Sequence, residues 1–339
     1  MRQKLTFVLE LTQRCNNNCQ YCYNVWKADP DYPSQEMSAE NWKTVIDKIS
    51  AESKLRQIAL SGGEPTLHPG FFDILEHLQT KHAYLTLITN GTTLTPHVIT
   101  RCIKLGIKTF EVPLLADTAV LHDQLTRHSG SWNKVIASCR EIKKQKGSLA
   151  IVFVLTKLNI QQAQETMEMA IALGADAILA NRFNPGGEGL KNHKLLTPSV
   201  AELQLAYRTI DDLAEKYEIP VTSGIPVPPC VMDPSAYQHI RFSYCPHGGK
   251  FTYFAIDPIG NLRPCNHSAT ILGNLINQKL TSILSGKTWR EYFAGAPAKC
   301  TGCELNEECR GGCRAAAEVF YHDRTAQDPF IADNFKSIV

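Results

Sequence analysis

Leu5-Thr6-Phe7-Val8-Leu9-Glu10-Leu11 leads into Cys15-Asn16-Asn17-Asn18-Cys19-Gln20-Tyr21-Cys22. An apolar strand thus ends in three cysteines spaced C-x3-C-x2-C. In a long chain without an export signal, cysteines at such spacing point to metal rather than to disulfides. Three thiolates leave a four-iron cluster one ligand short, because such clusters normally take four cysteines. A zinc ion also wants four closed ligands, commonly from paired C-x2-C. On these residues alone a cluster and an incomplete zinc knuckle both stand.

Outward from this stretch, strand-like and helical runs alternate. The strand-like runs are Leu5–Leu11, Gln57–Leu60, Tyr84–Thr89, Thr109–Leu115, Leu149–Leu155 and Ala177–Ala180. The first helix is expected to start after Ser38, with Trp42, Val45, Ile46 and Ile49 on one face. Thr95-Pro96 and Thr197-Pro198 each set an N-cap before a proline at the first helical position. Six strand–helix units predict an α/β fold, a parallel sheet with right-handed crossovers forming an open partial (β/α)6 TIM-like barrel. Barrels of this kind carry their chemistry at the carboxyl ends of the strands. Ser61-Gly62-Gly63-Glu64-Pro65 follows the second strand, Asn90-Gly91 the third, Asp117 the fourth and Asn181-Arg182 the sixth. The polar clusters are therefore expected on one rim.

The texture changes near Ser223. Pro220, Pro226, Pro228, Pro229 and Pro234 mark an interdomain crossing. A hairpin is expected over Phe251–Ile256 and Leu262–Pro264, turned by Asp257-Pro258-Ile259-Gly260-Asn261, with short helices near 280–293 and 311–321. The expected division is 1–222 for the barrel and 223–339 for a small second domain.

The chain has 339 residues and a formal charge of +2, which gives no sign of a nucleic-acid binder or a polybasic membrane protein. The opening residues hold no apolar run long enough for a signal peptide, and the longest such run, Leu149–Leu155, is far short of a membrane span. A cytoplasmic protein is expected. Nine of the twelve cysteines fall at 15–22, at 245 and 265, and at 300–313. Cys102 and Cys139 fall on apolar helix stripes and read as core residues.

The C-x3-C-x2-C run, with aromatic Tyr21 before its third cysteine and Gly62-Gly63-Glu64 one strand later, resembles the signature of the radical S-adenosylmethionine (radical SAM) superfamily. The resemblance implies a [4Fe–4S] cluster on Cys15, Cys19 and Cys22, its open iron bound by S-adenosylmethionine, whose cleavage gives a deoxyadenosyl radical. It further implies that Gly62, Gly63 and Glu64 hold the methionine amine, that Tyr21 presents backbone to the adenine, and that Asn90 is a polar strand-end contact. The family's serine after the fourth strand is absent. Asp117 is the candidate in its place, and Arg127 the candidate partner of the methionine carboxylate.

Cys245 precedes Gly260 and Cys265 in a C-x14-G-x4-C pattern, and Cys300, Cys303, Cys309 and Cys313 follow as C-x2-C-x5-C-x3-C. Together these resemble the SPASM extension of radical SAM enzymes that modify peptides. By that resemblance Cys245, Cys265 and Cys313 hold auxiliary cluster I, and Cys300, Cys303 and Cys309 hold auxiliary cluster II. Cys230 is the candidate fourth ligand of cluster I, against a free thiol in the proline-rich crossing. The family's seventh cysteine, in a D-P-x-C context, is missing: Asp328-Pro329-Phe330-Ile331 puts isoleucine in its slot. Cluster II is then left with a non-cysteine ligand, an open iron or incomplete assembly; the expectation is an oxygen or nitrogen fourth ligand, with Asp323, Asp328 and His322 as the candidates. Asn266-His267 replaces the aspartate that sulfatase-maturating relatives carry after the G-x4-C cysteine. That weakens a formylglycine-forming reading and leaves His267 as a candidate base.

The resemblance implies a hydrogen-abstracting enzyme acting most often on a ribosomally made peptide, by cross-linking, epimerisation or oxidation. A small metabolite or cofactor precursor is the second substrate class, and an iron–sulfur electron carrier or zinc scaffold the non-enzymatic one. The implied partners are an external reductant such as flavodoxin or ferredoxin. Because the barrel is expected to begin within a few residues of Met1, a leader peptide is expected to need either a separate leader-peptide-binding protein or direct binding to the barrel.

Overall fold

The computed structural model describes residues 3–245, 253–295 and 297–331. The six expected strands form as β1 (Lys4–Glu10), β2 (Lys54–Ser61), β3 (Tyr84–Ile88), β4 (Ile107–Pro113), β5 (Ser148–Leu155) and β6 (Ala177–Arg182). They pair in parallel, each with its sequence neighbour. The sheet then continues through β7 (Val221–Ser223) and β8 (Ile240–Phe242) on one side. On the other side, β9 (Tyr253–Ile256) pairs in parallel with β1, Thr6 facing Tyr253 and Leu9 facing Ile256. β10 (Asn261–Arg263) and β11 (Gly273–Asn274) follow antiparallel. The order among the described residues is β11-β10-β9-β1-β2-β3-β4-β5-β6-β7-β8, an open sheet whose two ends do not join.

The C-terminal hairpin thus covers an edge of β1 that would otherwise present unpaired backbone groups. The expected start of that hairpin, Phe251, lies outside the described residues. The expected division at 222/223 falls within β7.

Helices cover the outer face of the barrel. Ser38 accepts the Asn41 N–H and starts Ala39–Glu52, which buries Trp42, Val45, Ile46 and Ile49. Thr95 caps Pro96–Lys104 by accepting the Val98 N–H, and this helix buries Cys102. The third cap differs from expectation. Val200–Tyr217 starts after Ser199, not Thr197, because Ser199 and Glu202 form a reciprocal capping box. That arrangement satisfies two free N–H groups and outweighs the proline signature two residues earlier. Cys139 is also buried in the core.

Alternation along the strands sorts side chains between the helical layer and the barrel interior. In β4, Phe110 and Val112 are fully buried under helices while Glu111 and Pro113 line an interior cavity. In β5, Ile151 and Phe153 are buried while Val152 and Val154 line the cavity. Among the described residues, no helix is long and apolar enough to cross a membrane.

Candidate active site

The cavity sits at the carboxyl ends of the strands. Cys15, Cys19, Tyr21 and Cys22 line it from the β1 loop, Gly62 and Gly63 from β2, Asn90 from β3, Glu111 from β4, and Asn181 to Asn184 from β6. His267 closes it from the C-terminal region.

The loops after β1 and β2 run against each other. Gly63 N–H donates to Thr12 O and Glu64 N–H to Arg14 O, both at 2.8 Å. A Cβ on Gly63 would stand 2.3 Å from Arg14 O, and one on Gly62, whose φ is +125°, would stand 2.7 Å from Thr12 O. Glycine is required at both positions because the cysteine loop lies directly on them. Asn24 Nδ2 donates to Gly62 O at 2.7 Å, fixing the far side of the cysteine loop to the same turn.

The cysteine triad suits a cationic cluster. Burial, then the thiols of Cys22 and Cys15, pushes Cys19 up to about 12. Burial also raises Cys22, opposed by the Lys27 ammonium. Such thiols shed their protons when metal binds. Asn17 N–H donates to Cys15 Sγ at 3.4 Å, and Asn90 Nδ2 approaches the same sulfur at 3.9 Å. Asn90 also donates to Asn16 Oδ1 at 2.8 Å, so β3 holds the cysteine loop directly. Among the described residues, no three His, Cys, Asp or Glu side chains converge on a single-ion site.

Glu64 does not line this cavity. Its carboxylate is fully buried and accepts from Thr66 Oγ1 at 2.6 Å, Thr89 Oγ1 at 2.9 Å and Asn90 N–H at 2.8 Å. Burial raises its pKa, and these hydrogen bonds oppose the rise. Glu64 therefore ties the β2 turn to the β3 terminus.

Asp117 and Arg127 also stand away from the cavity. Leu114, Leu115 and Ala116 are fully buried and carry the chain over the rim. Asp117 consequently emerges beside Trp132, Ile136 and Arg140 in the helical layer. Arg127 pairs with Glu188 Oε1 at 2.8 Å on the outer surface. A satisfied surface guanidinium explains its position.

His267 stacks on Tyr23, ring centroids 4.1 Å apart, and its Nδ1 lies 3.3 Å from Asn184 Nδ2. Burial, with Arg263 and Arg182 nearby, lowers it to about 3, so the ring is neutral and a weak base. Glu111 was not singled out from the sequence, although a carboxylate in the middle of a buried parallel strand is a signal of function. Burial alone raises it to about 7. Tyr23, Asn24, Asn184 and Lys27 also line the cavity without a motif to announce them.

Beyond His267 the later cysteines fall into two groups. Cys265 and Cys313 are buried together against Ala315, Ala316 and Tyr253. Cys245 lies within electrostatic reach of both. Asn184 Nδ2 donates to Cys313 Sγ at 3.5 Å, linking this inner group to the cavity wall. The outer group is Cys300, Cys303 and Cys309. Cys230, the expected fourth ligand of the set holding Cys245, lies within electrostatic reach of Cys300 and Cys303. The crossing after β7 carries it along the outer side of the second cysteine knot.

Residues 9–170 match the model of the Radical SAM superfamily, and residues 245–314 that of the SPASM iron–sulfur cluster-binding domain. Over 336 residues the chain is 25% identical to PqqA peptide cyclase of Bradyrhizobium diazoefficiens, spanning 97% of this chain and 86% of that one. Over 333 residues it is 25% identical to AdoMet-dependent heme synthase of Methanosarcina barkeri, spanning 95% and 94%. The fold superposes on the crystal structure of Streptococcus suis SuiB bound to precursor peptide SuiA with a TM-score of 0.75 and 15% identity. That superposition covers 97% of this chain and 75% of that one. At that identity the likeness is one of fold.

Proposed function

Because this chain belongs to the radical SAM superfamily and carries a SPASM extension, we propose that it modifies a ribosomally made peptide at a carbon facing the cavity between the cysteine triad and the inner cysteine group. The enzyme uses a [4Fe–4S] cluster with S-adenosylmethionine, together with auxiliary iron–sulfur clusters. When bound and given one electron, the first cluster and S-adenosylmethionine would supply a deoxyadenosyl radical for abstraction of a substrate hydrogen atom.

The single observation that carries the reading is the shared cavity. Cys15, Cys19 and Cys22 line one side, and His267 and Asn184, the latter bonded to Cys313, line the other. A substrate held there lies between the two sites.

The roles follow from position. Cys15, Cys19 and Cys22 hold the first cluster. Gly62 and Gly63 shape the floor, Tyr21 and Asn90 would contact the cosubstrate from the cavity wall, and Glu64 acts as a positioning residue behind them. Glu111 is the group suited to take a proton from the substrate, because its pKa of about 7 leaves both forms populated near neutrality. His267 serves as a neutral stacking wall on Tyr23.

Peptide substrates are supported by the relatives, one named a peptide cyclase and one solved with a precursor peptide. The heme synthase likeness favours a second reading, a small cofactor precursor. A flavodoxin or ferredoxin supplies the electron in either case.

Anaerobic protein given dithionite and S-adenosylmethionine should form deoxyadenosine. Co-expression with a short open reading frame from the same gene neighbourhood should change that peptide, either by a loss of two hydrogens or by an isobaric epimerisation. Deoxyadenosine formation with every neighbouring peptide unaltered in mass and stereochemistry selects the metabolite reading. No deoxyadenosine at all removes both.

A further inference from the structure

The segment Pro228–Met232 forms a turn in which the N–H groups of Val231 and Met232 donate to Pro228 O at 3.0 and 3.1 Å. Val227 and Met232 are buried on either side, and Cys230 stands exposed at the tip. The turn is seated on the Cys309–Cys313 loop. A Cβ on Gly312, whose φ is +91°, would come 3.0 Å from Pro228 Cγ, and one on Gly311 would come 3.6 Å from Cys300 Sγ. The two glycines let the chain reverse, so that Cys309 faces the outer group and Cys313 the inner one. Cys230 lies within electrostatic reach of Cys300 and Cys303, and Cys309 within reach of Cys230 and Cys300.

The other candidates for a fourth outer ligand are occupied elsewhere. Asp328 is fully buried; its Oδ2 pairs with Arg182 and accepts the Cys313 N–H at 2.8 Å, and its Oδ1 accepts the Phe330 N–H at 3.0 Å. Asp323 accepts from Thr325 N–H and Oγ1 at 2.8 and 2.7 Å. His322 lines a different cavity, with Trp26, Asp257 and Arg263. Ile331, in the slot of the missing cysteine, is buried in the core.

Resting on the assignment of a cluster-binding domain to residues 245–314, we propose that Cys230 is the fourth thiolate of the outer auxiliary cluster, with Cys300, Cys303 and Cys309. An upstream cysteine on a proline-rich turn takes the place of the downstream one, and Cys245, Cys265 and Cys313 remain as the inner set.

The test uses the full chain with Cys15, Cys19 and Cys22 changed to alanine, reconstituted anaerobically with iron and sulfide. Iron content and the EPR spectrum of the reduced protein are recorded. Two auxiliary four-iron clusters give about eight irons per chain. Cys230→Ala is then added to Cys265→Ala, which keeps the outer cluster, and separately to Cys303→Ala, which keeps the inner one. The proposal expects Cys230→Ala to abolish the remaining signal, or convert it to a three-iron form, in the first background only. A change confined to the second background overturns it, and so does no change in either. Cys230→Ser in the otherwise unaltered chain avoids any buried substitution. It should retain iron and shift the outer-cluster EPR signal, and an unshifted signal counts against the proposal. Fewer than about four irons with all auxiliary cysteines intact removes the shared premise and the proposal together.

Discussion

Arg182, at the carboxyl end of β6, and Asp328, 146 residues later, form an ion pair closed off from water, with side chains 1% and 0% exposed. The guanidinium also donates to Pro226 O at 2.8 Å and stacks over Phe330 at 4.7 Å. Asp328 passes the connection to the Cys313 N–H. One buried contact therefore sets the cavity wall against the inner cysteine group.

Breaking such a pair from one side leaves an unpaired buried charge. Asp328→Leu should cost about 3–5 kcal/mol of stability. The double variant Arg182→Met/Asp328→Leu should recover part of that loss. Chemical denaturation of the three proteins checks both statements; a single variant as stable as the parent refutes the first.

Glu111 titrates where few carboxylates do. Burial raises it from the ordinary 4.5 to about 7. Between those values the folded protein keeps a proton that the unfolded chain has lost, so stability falls as pH rises through this window, by on the order of 3 kcal/mol in full. Glu111→Gln should flatten that dependence. Turnover that needs the carboxylate should rise with pH through about 7 in the parent and collapse in the variant, while deoxyadenosine formation without substrate persists. A glutamine variant with the parental pH–rate profile rules out the base role.

Glu64 accepts from Thr66, Thr89 and Asn90 and touches no cavity surface. Glu64→Gln turns one acceptor oxygen into a donor among groups that also donate. Each hydrogen bond to a charged acceptor contributes about 1.5–3 kcal/mol. We expect S-adenosylmethionine affinity, measured by equilibrium dialysis on cluster-loaded protein, to fall at least tenfold. Unchanged affinity makes the residue a bystander.

Gly63 has no room for a methyl group, since a Cβ would meet Arg14 O at 2.3 Å. Gly63→Ala should displace the cysteine loop and lower the iron content by about four per chain. Cys19→Ala should have the same effect on iron and abolish deoxyadenosine formation. If Gly63→Ala keeps its full iron, the close approach of the two loops does not govern assembly of the first cluster.

Much of this architecture was written in local signals. The period-two and period-3.6 patterns located β1 to β6 and the helices after Ser38 and Thr95, because burial on a sheet or helix face leaves its mark on every second or every third to fourth residue. β7 and β8 left no such mark: three-residue strands in a proline-rich crossing are too short to show a period. The pairing of β9 with β1 was equally silent, since a strand carries no label for a partner some 250 residues away.

The site divides in the same way. Cysteine spacing is short-range chemistry, so the sequence by itself determined the cysteine triad, the glycine turn beside it and the existence of two later cysteine groups. Only the tertiary structure decided which side of the barrel each polar residue faces. It put Glu111 inside the cavity, carried Asp117 and Arg127 out of it, saturated Glu64 with donors, and set Cys230 within reach of Cys300 and Cys303. Those outcomes depend on how distant segments pack. A side chain's partners are fixed by the space left when the helices, the sheet edge and the C-terminal knot close together, and that space is a property of the whole chain.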